Sequence, residues 1–380
     1  MKLNIYNFDH KFTCSQNFQV GPFTITVSEE QFRNVKKIPR SSSTTFTHDE
    51  NLERIYYENP SIKGGWENTA TLVYDEKAIS KSVLVPNESE IDQVRDICNL
   101  FTFLTGRRVT IKEFIHHHNP HQTLGHTVPA HTLVFHLKNC WDNLATINDE
   151  KLSIPFVNLT YSFESNEFLG MSAYITSTLN STYDLWWKKQ SNDKLSKSIK
   201  RKIKNILRER ISKSLSFSIK KKLINILHKE DIPSDIANDI DKMINDIGRP
   251  SALFILEKFL IELEVFPGTN NPEAKKRLQF INRLRNLLVH TGNIPTIPGE
   301  TLQRNMEISL STMCICLEIL KLYFLEKIFK LDGFPIDSIR SDLNNYFETG
   351  KFRGKDVFQE SYAEYMDRQA MAWVEKGTLI

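Results

Sequence analysis

The sequence predicts an α+β protein, an N-terminal antiparallel β-rich domain followed by an all-α helical bundle. Over the first 165 residues apolar and polar side chains alternate between turn signals, the pattern of half-buried strands. From about residue 181 the apolar period lengthens to that of a helix and stays there. The expected division is 1–165 for the β-rich part, 166–332 for the helical part and 333–380 for a C-terminal tail.

In chain order, Gly21-Pro22 precedes the alternating Phe23, Ile25 and Val27, and Gly64-Gly65 precedes a strand from Ala70 to Tyr74. Ser82 to Val85, His131 to Leu137 and Phe156 to Phe163 read as further strands. One helix interrupts them: Asn87 and Glu90 form a capping box, Ile91, Val94, Cys98, Phe101 and Leu104 share a face, and Gly106 is the stop. In the helical half, Pro233, Gly248 to Pro250, Pro267-Gly268, Gly292 to Gly299 and Gly333 are stops. Ser234 to Ile247 buries only Ile236, Ile240, Met243 and Ile247, whereas Ser251 to Phe266 is apolar nearly all round and suits a central helix. Thr301 to Leu331 predicts one long helix, and the polar tail one helix between Lys355 and Glu375.

Composition narrows the class. With 380 residues, 40% hydrophobic and 25% charged, the chain has material for two to three packed domains, and a wholly disordered protein is excluded. The start MKLNIYNFDH has no apolar leader core, and the apolar run Ser309 to Phe329 is broken by Glu318, Lys321, Glu326 and Lys327, so a cytoplasmic location without a bilayer span is expected. Five cysteines (Cys14, Cys98, Cys140, Cys314, Cys316) suggest neither a disulfide framework nor a zinc ribbon, and buried thiols are expected.

The net charge of +3 hides an asymmetry: residues 188 to 222 hold fourteen Lys or Arg against two acids, Asp193 and Glu209. Such a segment favours a polyanionic partner, a solvated helix face being the alternative. Within it SIKRKIKNIL and SIKKKLINIL repeat twenty residues apart. Lys200, Arg201, Lys202, Lys204, Lys220, Lys221 and Lys222 are the candidate phosphate contacts, giving salt-sensitive affinity with little sequence choice. Trp186 and Trp187 precede them as base-stacking or core residues.

The densest chemistry lies in NPEAKKRLQFINRLRNLLVHTGN, Asn271 to Asn293. Asn271 is the cap, Pro272 fits the first helical position, Glu273 suits the positive dipole end, and Gly292 ends the helix. At about 100° per residue, Lys276, Gln279, Arg283, Asn286 and His290 form a polar stripe opposite the apolar Ala274, Leu278, Ile281, Leu284 and Leu288. Arg285 falls inside the apolar arc, where a guanidinium needs an anion: a carboxylate of another helix or a substrate phosphate. His290 sits in the last turn, where the dipole favours imidazolium; it is either a proton donor and acceptor or a residue satisfying the last carbonyls.

Arg285-Asn286-Leu287-Leu288-Val289-His290 resembles the R-x4-6-H motif of HEPN domains, with a polar residue after the arginine. The β-rich half, including LFTFLTGRRVTI, resembles the front domain of ApeA-type abortive-infection proteins. The first resemblance covers about residues 181 to 332 and implies a HEPN-like bundle, a homodimer and metal-independent RNA cleavage at a composite site. It implies His290 as acid or base, Arg285 against the developing phosphorane charge and Asn286 as the orienting group, with no cofactor. RNA, transfer RNA included, is the implied substrate, and the front domain the sensor of a trigger. Arg283 also stands within the permitted gap before His290 and is a second candidate contact to RNA. A non-catalytic helical module binding RNA or protein is the alternative.

Seven of the eleven histidines lie between His116 and His136, but Pro120 and Pro129 break the segment and no acid or cysteine cluster accompanies them, so no metal is expected. There is no Walker loop, G-x-G-x-x-G, G-x-S-x-G or HExxH.

Overall fold

The computed structural model describes residues 1–12, 17–38, 45–48, 55–58, 66–86, 92–115, 126–164, 168–194, 252–268, 271–292, 294, 300–358 and 360. These form two compact units, residues 1–182 with 260–380, and residues 183–259. The architecture is α+β, an N-terminal antiparallel sheet followed mostly by helices.

The sheet runs β2 (Asn17–Val20), β3 (Phe23–Thr26), β6 (Asn68–Val73), β1 (Lys2–Tyr6), β7 (Thr110–Ile111). All pairs are antiparallel, with Ile25 opposite Leu72 and Ile5 opposite Ala70, so one register buries all four side chains. A separate ladder joins β4 (Thr45–His48) to β5 (Ile55–Glu58). Helix α1 (Glu29–Val35) packs on β6 and starts with a capping box between Ser28 and Gln31.

Helix α2 (Gln93–Thr105) forms where the sequence predicts it and ends on Gly106 at φ 62. Its cap is Asp92, whose carboxylate accepts from Val94 and Arg95 N–H groups, not the pair Asn87 and Glu90, which lies outside the described residues. Ser82 to Val85 is not a strand. It is a loop tied to α2, where the Asp96 carboxylate accepts from Ser82 Oγ and Val83 N, both at 2.6 Å. Two further strand expectations are overturned. His131 to Leu137 runs into α3 (Leu133–Asp142), which buries Leu133, Leu137 and Cys140 at helical spacing, and Phe156 to Phe163 belongs largely to α5 (Ser153–Ser162), after the short α4 (Leu144–Asp149).

Helical structure therefore begins well before residue 181, and α6 (Phe168–Lys194) continues it. The expected helix at Ser234 to Ile247 lies outside the described residues; Ser251 to Phe266 supplies α7 (Ala252–Glu262). The motif helix is α8 (Pro272–Thr291), and the expected long helix is α9 (Leu302–Tyr323), extended by a π-helical turn at Phe324–Ile328. Residues 302–328 are long and apolar enough to cross a membrane by length and composition, but 83% of their apolar window is buried in the fold.

The described part of the tail, residues 333–358, is folded. Helix α10 (Ile336–Thr349) buries Ile336, Ile339, Leu343, Tyr346 and Phe347 and packs on α8 and α9. The hairpin β8 (Lys351–Phe352) and β9 (Lys355–Asp356) follows it. Most of the helix expected between Lys355 and Glu375 falls outside the described residues. Phe103 on α2, Phe156 on α5 and Phe324 and Phe329 after α9 meet with ring centroids 5.2–6.1 Å apart, so the sheet-bearing half and the last helices share one core.

Candidate functional site on the motif helix

Helix α8 is bounded by the signals the sequence carries. Asn271 Oδ1 accepts from Ala274 N at 3.1 Å, Pro272 occupies the first turn, and Gly292 closes the helix at φ 64 with its N–H on Leu288 O. Ala274, Leu278, Ile281, Leu284 and Leu288 are all buried, covered within the same chain by α9 and α10. The apolar arc is therefore core, not a free surface.

Arg285 is only 1% exposed and is the largest fully buried side chain in the described structure. Its Nη2 donates to Asn282 Oδ1 at 2.7 Å, one turn earlier. Its positive charge also reaches Cys316 on α9, where it opposes the effect of burial; burial wins and pushes that thiol up to about 11. Arg283 and Asn286 are half-buried and His290 is exposed in the last turn, so these three share the solvent side while Arg285 turns inward. On an ideal helix Arg283 and His290 differ by about 20° and are separated by about 10 Å along the axis, whereas Arg285 lies about 140° from His290.

A second set of contacts fixes the helix against α10. Arg277 Nη1 donates to the carbonyls of Phe347 and Glu348 at 2.8 and 2.9 Å, occupying the negative end of α10. The Tyr346 hydroxyl donates to the Arg277 carbonyl at 3.2 Å, and the Arg277 guanidinium sits over the Phe358 ring. Sequence reading missed Arg277, Asn282 and Tyr346 because their roles depend on a helix placed by tertiary packing.

The charges inside the apolar helix are paired. Lys321 and Glu318 form a buried bridge at 3.0 Å, and Glu318 also meets Arg353, which bonds Asp342 on α10 at 2.9 Å. These charges join α9 to α10 and the β8–β9 hairpin. Cys98, Cys140 and Cys316 are buried free thiols and Cys314 is partly buried.

The basic residues Lys200, Arg201, Lys202, Lys204, Lys220, Lys221 and Lys222 lie outside the described residues. In the unit 183–259, Trp186 meets Phe259 and Trp187 meets Phe254 at 5.5 and 5.9 Å, edge to face. The described histidines of the His-rich stretch are dispersed. His126 Nε2 lies 3.0 Å from Asp9 Oδ2, His131 stacks on Phe334, and His136 is on α3. Among the described residues no group of three His, Cys, Asp or Glu is placed to hold a metal ion.

The chain matches no protein-family model, no curated protein and no solved structure.

Proposed function

We propose that this chain is a metal-independent endoribonuclease of the HEPN class, an abortive-infection effector that cuts RNA at a site shared by two copies. The observation that carries the proposal is His290 exposed in the last turn of α8, with Arg283 and Asn286 on the same side. The basic segment at 188 to 222 supports an RNA substrate.

The chemistry asks for two groups. His290 takes the proton of a 2′-hydroxyl as its oxygen bonds to phosphorus, and the imidazolium so formed gives that proton to the 5′-oxygen as the P–O5′ bond breaks. A guanidinium stabilises the extra charge on the phosphorane oxygens. The products are a 2′,3′-cyclic phosphate and a 5′-hydroxyl. One helix places its cation and imidazole about 10 Å apart, and a two-fold pairing closes that gap. In an antiparallel pairing centred on Asn286, position 290 of one copy faces positions 282 and 283 of the other.

Purified protein is expected to cut single-stranded or transfer RNA in EDTA, with His290→Ala abolishing cutting in a folded protein. Cutting that survives His290→Ala, or that needs a divalent ion, overturns the proposal. The burial of Arg285 favours a second reading, a helical module that binds RNA or protein without cleaving it. A folded wild type that binds RNA without cutting it selects that reading.

A further inference from the structure

We infer that Arg283, and not Arg285, is the arginine that meets the scissile phosphate beside His290. The inference rests on the nuclease reading above and changes which side chain does the work. Sequence spacing admits both residues, since each precedes His290 within the permitted gap.

Burial separates them. The Arg285 side chain is 1% exposed, packed among the apolar residues of α8 and against α9, and its Nη2 is engaged by Asn282. A phosphodiester is a hydrated anion, and carrying it to that guanidinium means stripping its water and parting α8 from the helices packed on its apolar face. Arg283 needs neither step, because it is half-exposed on the face where His290 meets solvent.

Direction separates them as well. A helix turns by about 100° per residue, so seven positions bring Arg283 back to within about 20° of His290 while five leave Arg285 about 140° away. Within one chain, unwinding the last turn would be required to bring Arg285 and His290 together, yet that turn is closed by the Gly292 cap and its bond to Leu288 O. Asn286 lies between Arg283 and His290 on the same stripe, three positions from one and four from the other, so its amide reaches toward either. In a two-fold pairing this face meets its copy, and the Arg285 face, already covered by α9 and α10, does not.

The test compares cleavage kinetics of wild type, Arg283→Ala, Arg283→Lys and Arg285→Met on one single-stranded RNA in EDTA, with thermal melting as the check on folding. Arg283→Ala is expected to lower kcat by about 100- to 1,000-fold with an unchanged melting temperature. Arg283→Lys is expected to recover part of that loss. Arg285→Met, which keeps volume in the core, is expected to lose cleavage only in proportion to the folded protein it loses. Wild-type cleavage by Arg283→Ala overturns the inference while leaving the nuclease reading intact, as does loss of cleavage in a fully folded Arg285→Met. Wild type that cuts no RNA overturns both.

Discussion

Arg285 donates from Nη2 to Asn282 Oδ1 at 2.7 Å, so the most deeply buried cation of the motif helix is satisfied in part by its own preceding turn. A buried guanidinium cannot shed its charge, and its hydrogen bonds therefore carry more weight than those of a surface arginine. Truncating Arg285 to alanine leaves both a cavity and an amide without its donor. The expected loss is about 2–4 kcal/mol, against no more than about 0.5 kcal/mol for Arg283→Ala. Denaturant titration of Arg285→Ala, Asn282→Ala and the double variant checks this. The double variant should lose less than the sum of the two single losses, because the second truncation removes an interaction already broken.

Subunit mixing tests whether the cation and the imidazole act from different copies. Arg283→Ala alone is expected to keep no more than about 1% of wild-type cleavage, and His290→Ala none. Mixed after dissociation and reassociation, they should recover about a quarter of wild-type cleavage, since half the dimers are hybrids and each hybrid holds one intact composite site. A site built within one chain recovers nothing on mixing.

Two buried groups in the sheet-bearing half titrate with opposite effect. His10 is neutral in the fold: its Nδ1 accepts from Phe12 N at 3.1 Å, and its Nε2 therefore donates to Thr69 O at 2.9 Å. Burial lowers its pKa to about 4, against the opposing Thr69 bond and the charge of Asp9. The unfolded chain thus binds the extra proton between pH of about 6.5 and about 4, and stability falls as pH falls through that window. Asp96 behaves in the reverse sense. Burial raises its pKa to about 6, although Ser82 and Val83 donate to it, so its contribution to stability is full below the ordinary carboxylate pKa and declines as pH rises toward about 6. Urea midpoints between pH 4 and 7 should therefore lose part of their acid sensitivity in His10→Asn and gain acid sensitivity in Asp96→Asn.

The parts of the fold legible in the sequence are those whose signals are local. Asn271-Pro272 and Gly292 bound α8, Gly106 ends α2, and the inward placement of Arg285 follows from counting turns. Helices α3 and α5 were illegible because each offers only a short apolar run, and a run of seven or eight such residues fits either period. Helix α10 hides its buried Ile336, Ile339, Leu343 and Tyr346 among Asp, Ser and Asn, so its polarity reads as tail. The Ser82 to Val85 loop takes its shape from Asp96, fourteen residues after Ser82, which no alternation pattern encodes. The solvent-facing stripe of the candidate site was readable from the helical period. What covers its opposite face was not, because α10 supplies part of the cover and was itself unread.

The reciprocal bonds between Arg277 and the end of α10 work as a rotational stop. They hold the roll of α8 about its own axis at a point thirteen residues, or about 20 Å, upstream of His290. A rigid rod transmits such a setting along its whole length, so a change at Tyr346 would swing the entire row of polar side chains out of alignment.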